Sequence, residues 1–344
     1  MIEFFNKPRM INICFNPAMD IHIYLSDFYL GSERRAKDIS SQLGGKGLNL
    51  ARYFSALSQR AKHIISLPSN SKDLIVEQCR KYIGSVTFME TNAPLRQNYT
   101  LHEDSGRETR LIDDRFIWSE NEFNKHCKQI VDIVRTNDLV IISGRFPSGV
   151  SEKLIMDFVS ELNSLGAYLV IDSKSFTIDM LRKTKPLLIK PNYDEARELL
   201  KSEDKMLAPD KNKRNESEAK IEPELRDMVV NLIKYSGARN VLLSASEDGL
   251  LFCDGKEIFW ARVPEIKVRS TIGAGDMSLA VFLSGMIQNS NQDKIGEILR
   301  RAAATATAYC QHVDDNLPSM LEISSILKGS TVVREPLINS IDKS

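Results

Sequence analysis

The sequence lacks an excess of charge of either sign: its 344 residues hold 46 Lys plus Arg against 46 Asp plus Glu. A chain that tracks a nucleic acid carries a basic surplus or a basic stripe, so this balance speaks against that partner. Long apolar runs are missing too. No stretch reaches the 18 or so unbroken apolar residues of a membrane span, and the opening MIEFFNKPRM has no signal-peptide core. No membrane is expected, and a cytoplasmic location is. The five cysteines (Cys14, Cys79, Cys127, Cys253, Cys310) are scattered, odd in number and never spaced CxxC, which argues against a zinc site and a disulfide framework. The five histidines form no HExxH or other close pair. Chemistry is left to carboxylates, lysine, arginine and backbone amides.

What is present is alternation. Ile11–Phe15, Leu139–Ser143, Tyr168–Asp172, Leu187–Lys190 and Val241–Ser244 read as buried strands. Between them, segments such as Leu48–Leu57 and Ser151–Leu165 repeat apolar residues every three or four positions, as amphipathic helices do. The pattern predicts βαβ units, a mostly parallel sheet and helices on both faces. Two regions break it. Ile21–Tyr29 and Val86–Leu111 alternate apolar and polar residues with no helix directly after them, and read as a small, half-exposed β-sheet inserted in the larger domain. Such an insertion suits a lid or a dimer contact. Lys201–Glu224 is charged and poor in large apolar residues, which predicts a surface loop, and 329–344 reads as a loosely held tail. The expected division is an α/β domain over 10–20, 32–85 and 112–328, with a lid over 21–31 and 86–111.

Three short motifs can carry chemistry. Thr271-Ile272-Gly273-Ala274-Gly275-Asp276 precedes an apolar helical pattern over Met277–Ile287. Glycines before a helix let the backbone approach a ligand, and the helix start suits an anion. An aspartate in that first turn either complements the helix dipole or takes a proton from an attacking hydroxyl. Gly44-Gly45-Lys46-Gly47 opens another helix, without the spacing of a Walker A loop. Lys190-Pro191-Asn192-Tyr193-Asp194-Glu195 ends a buried strand, where open α/β sheets bind ligands. Asn192 and Glu195 either face one ligand or metal-bound water, or simply start a helix.

Taken in order, Asn16-Pro17-Ala18-Met19-Asp20, GGKGLN, Ser143-Gly144, KPNYDE and TIGAGD resemble the PfkB family of carbohydrate kinases over residues 10 to 315. The similarity is to its 1-phosphofructokinase and tagatose-6-phosphate kinase branch. The resemblance implies a ribokinase-like three-layer α/β/α fold with a mostly parallel sheet and a small β-sheet lid. It implies ATP and Mg²⁺, a sugar-phosphate acceptor, and a homodimer formed through the lid. Asp276 would be the general base, and Gly273, Ala274 and Gly275 would supply amides to the transferring phosphoryl group. Asn192 and Glu195 would organise Mg²⁺ through water. Asp20, Gly44, Gly45 and Asn49 would hold the sugar, and Arg96 with Lys46 its phosphate. Lys190, Ser244 and Gly249 would lie on the nucleotide side, with the small residues of Ala302–Ala308 beside the adenine.

The chain departs from the family pattern at several points. Arg145 follows Gly144 where a serine is usual, and could reinforce phosphate binding or narrow the pocket. Ser246 takes the place of a glycine on the ATP side, Asp172-Ser173-Lys174-Ser175 is bulkier than usual, and Lys201–Glu224 is longer. The expected reaction is phosphorylation of a ketohexose phosphate, fructose 1-phosphate first, then tagatose 6-phosphate or fructose 6-phosphate. A kinase of an unphosphorylated sugar or nucleoside and a weakly active sugar-phosphate sensor are the alternatives. A dinucleotide-binding enzyme is excluded, because no GxGxxG follows the first strand.

Overall fold

In the computed structural model, residues 7–82, 85–201, 221–289, 294–312 and 316–337 are described. The first half runs β1 (Met10–Cys14), β2 (Ala18–Leu25), β3 (Asp38–Gly44), α1 (Lys46–Ala56), β4 (Lys62–Pro68), α2 (Lys72–Tyr82), β5 (Val86–Thr91), β6 (Arg96–Glu103), β7 (Glu108–Leu111), α3 (Glu120–Val131), β8 (Leu139–Ser143) and α4 (Glu152–Ser164). The second runs β9 (Tyr168–Asp172), α5 (Ile178–Thr184), β10 (Leu188–Ile189), α6 (Tyr193–Leu200), α7 (Pro223–Ser236), β11 (Val241–Ser244), β12 (Leu250–Cys253), β13 (Glu257–Arg262), α8 (Ala274–Gln288), α9 (Ile295–Tyr309), α10 (Met320–Lys328) and β14 (Thr331–Pro336).

Ten of these strands form one sheet in the order β14-β13-β12-β11-β10-β9-β8-β1-β4-β5. From β11 to β5 neighbouring strands run parallel, and β12, β13 and β14 add an antiparallel edge. The central strands are buried on both faces, which is why they read as continuous apolar runs. Period-two alternation sends their side chains into two separate cores. Val140 and Ile142 of β8 pack with residues of α3, α4 and α7. Leu139 and Ile141 pack with residues of α1, α8 and α9. The result is helix–sheet–helix in three layers, as expected.

A second sheet has the order β3-β2-β6-β7, with β2 and β6 parallel. One face carries Asp20, His22, Asn98 and Thr100; the other carries Ile21, Ile23, Tyr99 and Leu101. Its limits differ from the expected 21–31 and 86–111. Val86–Thr91 pairs parallel to β4 and belongs to the large sheet, because an edge strand buried on one face alternates just as a lid strand does. Conversely, Ala18–Asp20 and Asp38–Gly44 belong to the small sheet. The expected tail is also partly ordered: Thr331–Pro336 pairs antiparallel to β13, while 338–344 lie outside the described residues. Of the expected charged loop, 202–220 lie outside them as well, and Pro223 and Glu224 open α7. Among the described residues no helix is long and apolar enough to cross a membrane.

Candidate active site

The carboxyl ends of β1, β8, β9, β10 and β11 meet the starts of α1 and α8, and the motifs named above converge there. Each helix opens at a glycine that no side chain caps. Gly45 has φ 95° and Gly273 has φ 80°, both left-handed values that favour glycine. Space forbids a side chain at Gly273 as well. A Cβ there would lie 2.6 Å from the Tyr53 hydroxyl oxygen. At Gly44 a Cβ would fall 1.8 Å from Asp20 Oδ2, so this glycine is what lets Asp20 reach the turn.

Asp276 sits in the first turn of α8 and is buried. Asn49, from α1, donates Nδ2 to its Oδ2 at 2.8 Å. Burial pushes the Asp276 carboxyl up to about 6; Asp172 adds to the rise, and the charge of Lys46 opposes it. Lys46 donates to Asp172 Oδ1 at 2.5 Å, and its Nζ lies 4.0 Å from Glu195 Oε1. Burial alone would lower the lysine, but Asp172, Asp276 and Glu195 outweigh it and hold Lys46 above its ordinary range. Burial likewise resists ionisation of Asp172, yet Lys46 and Lys190 hold its carboxyl below the usual value. Lys190 is buried, and its Nζ lies 3.1 Å from where a Cβ of Gly275 would stand. The arrangement alternates sign: one buried carboxyl prone to hold a proton, one kept ionised, and two ammonium groups beside the α8 turn.

Asn192 and Glu195 form a capping box. The Asn192 side chain accepts from Glu195 N at 2.8 Å, and Glu195 Oε2 accepts from Asn192 N at 3.1 Å. The Asn192 oxygen is thereby engaged in the helix start. Glu195 Oε1 faces Lys174 Nζ at 3.5 Å. Among the described residues, no group of three or more His, Cys, Asp or Glu side chains is arranged to hold a metal ion. Two hard oxygens nevertheless belong to the cluster: Glu195 Oε1, 4.0 Å from Lys46 Nζ, and Asp172 Oδ2, which is buried with no hydrogen-bond partner among the described residues. They fit a hydrated divalent cation that takes few protein ligands.

A second cluster lies at the small sheet. Asp20 Oδ1 accepts from Asn98 Nδ2 at 2.7 Å, and Asn98 Oδ1 accepts from Arg96 Nη1 at 3.2 Å. Arg96 also reaches the Asn16 carbonyl at 3.4 Å. Among the described residues this partly buried guanidinium is in no ion pair. Gly44, Gly45 and Lys46 join the two clusters.

The remaining positions separate from these. Ser244 bridges to Asn192 through the backbone. Gly249 answers to packing, since a Cβ there would fall 2.1 Å from the Ala261 carbonyl oxygen. Ser246 takes φ 51°, the left-handed conformation that its usual glycine adopts freely. Arg145 is exposed. Asp172, Asn98, Arg52 and Tyr53 were not singled out as site residues from sequence. Asn98 and Arg52 had a local signal: Asn98 stands two residues from Arg96 on a strand, and Arg52 stands three residues from Asn49 on a helix, each sharing its neighbour's face.

Comparison with known proteins bears on the family and the fold. The profile of the family described as "pfkB family carbohydrate kinase" matches residues 12–321. The tagatose-6-phosphate kinase of Staphylococcus epidermidis is 23% identical over 300 residues, covering 86% of this chain and 90% of that protein. Phosphofructokinase-2 from Escherichia coli, solved with substrates and products, superposes with a TM-score of 0.78 at 21% identity over 93% of this chain and 98% of that one. Ribokinase from Thermotoga maritima gives 0.70 at 15% identity over 93% and 99%. At these identities the structural likenesses bear on the fold.

Proposed function

The chain belongs to the pfkB family of carbohydrate kinases, and from that premise we propose that it transfers the γ-phosphoryl group of ATP to a primary hydroxyl of a ketohexose phosphate. Fructose 1-phosphate is the first choice of acceptor, followed by tagatose 6-phosphate and fructose 6-phosphate. The observation that carries the acceptor class is Arg96: a partly buried guanidinium, held by Asn98 and the Asn16 carbonyl, and in no ion pair among the described residues. An anionic ligand compensates such a charge, and a phosphate does so bidentately.

In this reading Asp276 accepts the proton of the attacking hydroxyl as the oxygen–phosphorus bond forms and the bond to ADP breaks. A carboxyl pushed up to about 6 by burial suits a base working near neutrality. The uncapped start of α8, with Gly273, Ala274 and Gly275, meets the charge that develops on the phosphoryl oxygens. Lys46 and Lys190 add fixed positive charge beside it. Glu195 and Asp172 would hold Mg²⁺ and its waters, and Asn192 holds Glu195 in place; the ion when bound neutralises the ATP phosphates. Asp20 with Asn98 would orient the sugar hydroxyls.

The small sheet is the lid of this site in the same reading, and a second copy of the chain covers its apolar face. That face carries Ile21, Ile23, Tyr99 and Leu101, and its rim residues Ile39 and Leu111 are 61% and 57% exposed. Light scattering separates monomer from dimer.

The test is ATP consumption by wild type and Asp276→Asn with Mg²⁺, across free sugars, nucleosides and sugar phosphates. Turnover of a ketohexose phosphate that falls about 10³-fold or more in the variant supports the proposal. Arg96→Ala should raise KM for that acceptor about 30-fold or more and leave KM for ATP within about twofold. Turnover of a free sugar or nucleoside alone keeps the family and removes the acceptor class. Binding without turnover makes the chain a sensor.

A further inference from the structure

The proton acceptor of this site is aimed by a residue one helical turn behind it. Asn49 and Arg52 stand three positions apart on α1 and so share a face. Arg52 Nη2 donates to Asn49 Oδ1 at 2.7 Å, while Asn49 Nδ2 donates to Asp276 Oδ2 at 2.8 Å. A guanidinium carries donors only, and an ionised carboxylate carries acceptors only. The amide between them therefore has one orientation that satisfies both neighbours. Turned over, its NH₂ would face the guanidinium and its oxygen would face the carboxylate. Asn49 is only 8% exposed, so water cannot readily repair that mismatch.

We propose that Arg52 is a positioning residue, which fixes the Asn49 amide so that Nδ2 holds the Asp276 carboxylate and its second N–H stays free for the acceptor oxygen. The residue next to Arg52 on α1 reaches the neighbouring turn. The Arg52 guanidinium lies 5.5 Å from the centre of the Tyr53 ring, and the Tyr53 hydroxyl oxygen is what a Cβ at Gly273 would strike. One residue of α1 thus touches both supports of the α8 start. Remove its donor and the amide is free to rotate, leaving the base without a fixed partner. Misplacing a reacting group by about 1 Å can cost on the order of 10²-fold in rate.

The inference rests on the reading of Asp276 as the base, and a double-mutant cycle separates the two. Arg52→Met keeps the apolar stem and removes the donor; Arg52→Lys keeps a donor. Arg52→Met is expected to lower kcat on the phosphosugar about 10- to 100-fold with KM for ATP within about twofold, and Arg52→Lys to recover most of that loss. In an Asn49→Ala background, Arg52→Met should cost less than about threefold more. Equal losses for Met and Lys, or losses that simply multiply with Asn49→Ala, overturn the proposal while leaving Asp276 as base. Activity that survives Asp276→Asn overturns the base reading and this proposal with it. Thermal unfolding checks that each variant is folded, and Arg52→Leu, which also lacks a donor, closes the cycle in the same way if Arg52→Met is not.

Discussion

Two of the helices that start at the carboxyl edge of the large sheet, α6 and α8, are finished in opposite ways. At α6 the sequence closes its own helix: Asn192 and Glu195 satisfy each other's backbone N–H groups. At α8 the cap is Gly273, which offers no side chain, so no side chain closes the turn where Asp276, Asn49 and Lys190 gather, and Ala274 N turns back to the Thr271 carbonyl at 3.3 Å. A helix start closed by its own residues stabilises the fold; one left open keeps its partial positive charge for a ligand. The contrast also separates two acidic residues that look alike in sequence. Glu195 is spent partly on capping, whereas Asp276 is buried and takes its side-chain hydrogen bond from Asn49.

Substituting at the open start should have the largest effect. Gly273→Ala meets both a φ of 80° and the Tyr53 hydroxyl, and is expected to lower kcat about 100-fold or more, read from steady-state phosphorylation kinetics. The pH profile sharpens the same contrast. With the Asp276 carboxyl pushed up to about 6 by burial, kcat should fall roughly tenfold per pH unit below about 6, because the base must be ionised. Its effect on stability runs the other way. A carboxyl raised in the folded state binds its proton more tightly than in the unfolded chain, so its contribution is full below the ordinary carboxyl range and is lost as pH rises through about 6. Denaturant midpoints of wild type and Asp276→Asn across that range measure it. The smallest effect belongs to the closed start. Asn192→Ala should cost about 1 kcal/mol of stability and less than about tenfold in kcat. A kcat loss as large as that of Gly273→Ala would break the distinction between the two helix starts.

Much of this was legible before any fold was known. Leu139–Ser143, Tyr168–Asp172 and Val241–Ser244 match β8, β9 and β11 residue for residue, because strands buried on both faces leave an unbroken apolar run. Edge strands are where the reading failed. Val86–Thr91 alternates like a lid strand, and Thr331–Pro336 carries Arg334 and Glu335 among its apolar residues and looks like a tail. At the site, the glycine-rich turns and Asp276 were legible because a helix start and a positive φ demand particular residues locally. Arg145 was offered by sequence as a departure next to Gly144, and its side chain is exposed.

The sequence by itself determined the layered α/β class, the family and the glycine-opened helix starts, since periodicity and local backbone needs are written in neighbouring residues. Only the tertiary structure decided which charges meet. Lys46 and Asp172 are 126 positions apart, and Asn49 and Asp276 are 227 apart. No local rule links such residues. Strand order in the sheet and the docking of α1 against α8 bring them within hydrogen-bond reach. Burial raises both carboxyls, and it is the charges each one meets that separate Asp276, pushed up to about 6, from Asp172, which Lys46 and Lys190 hold below its usual value.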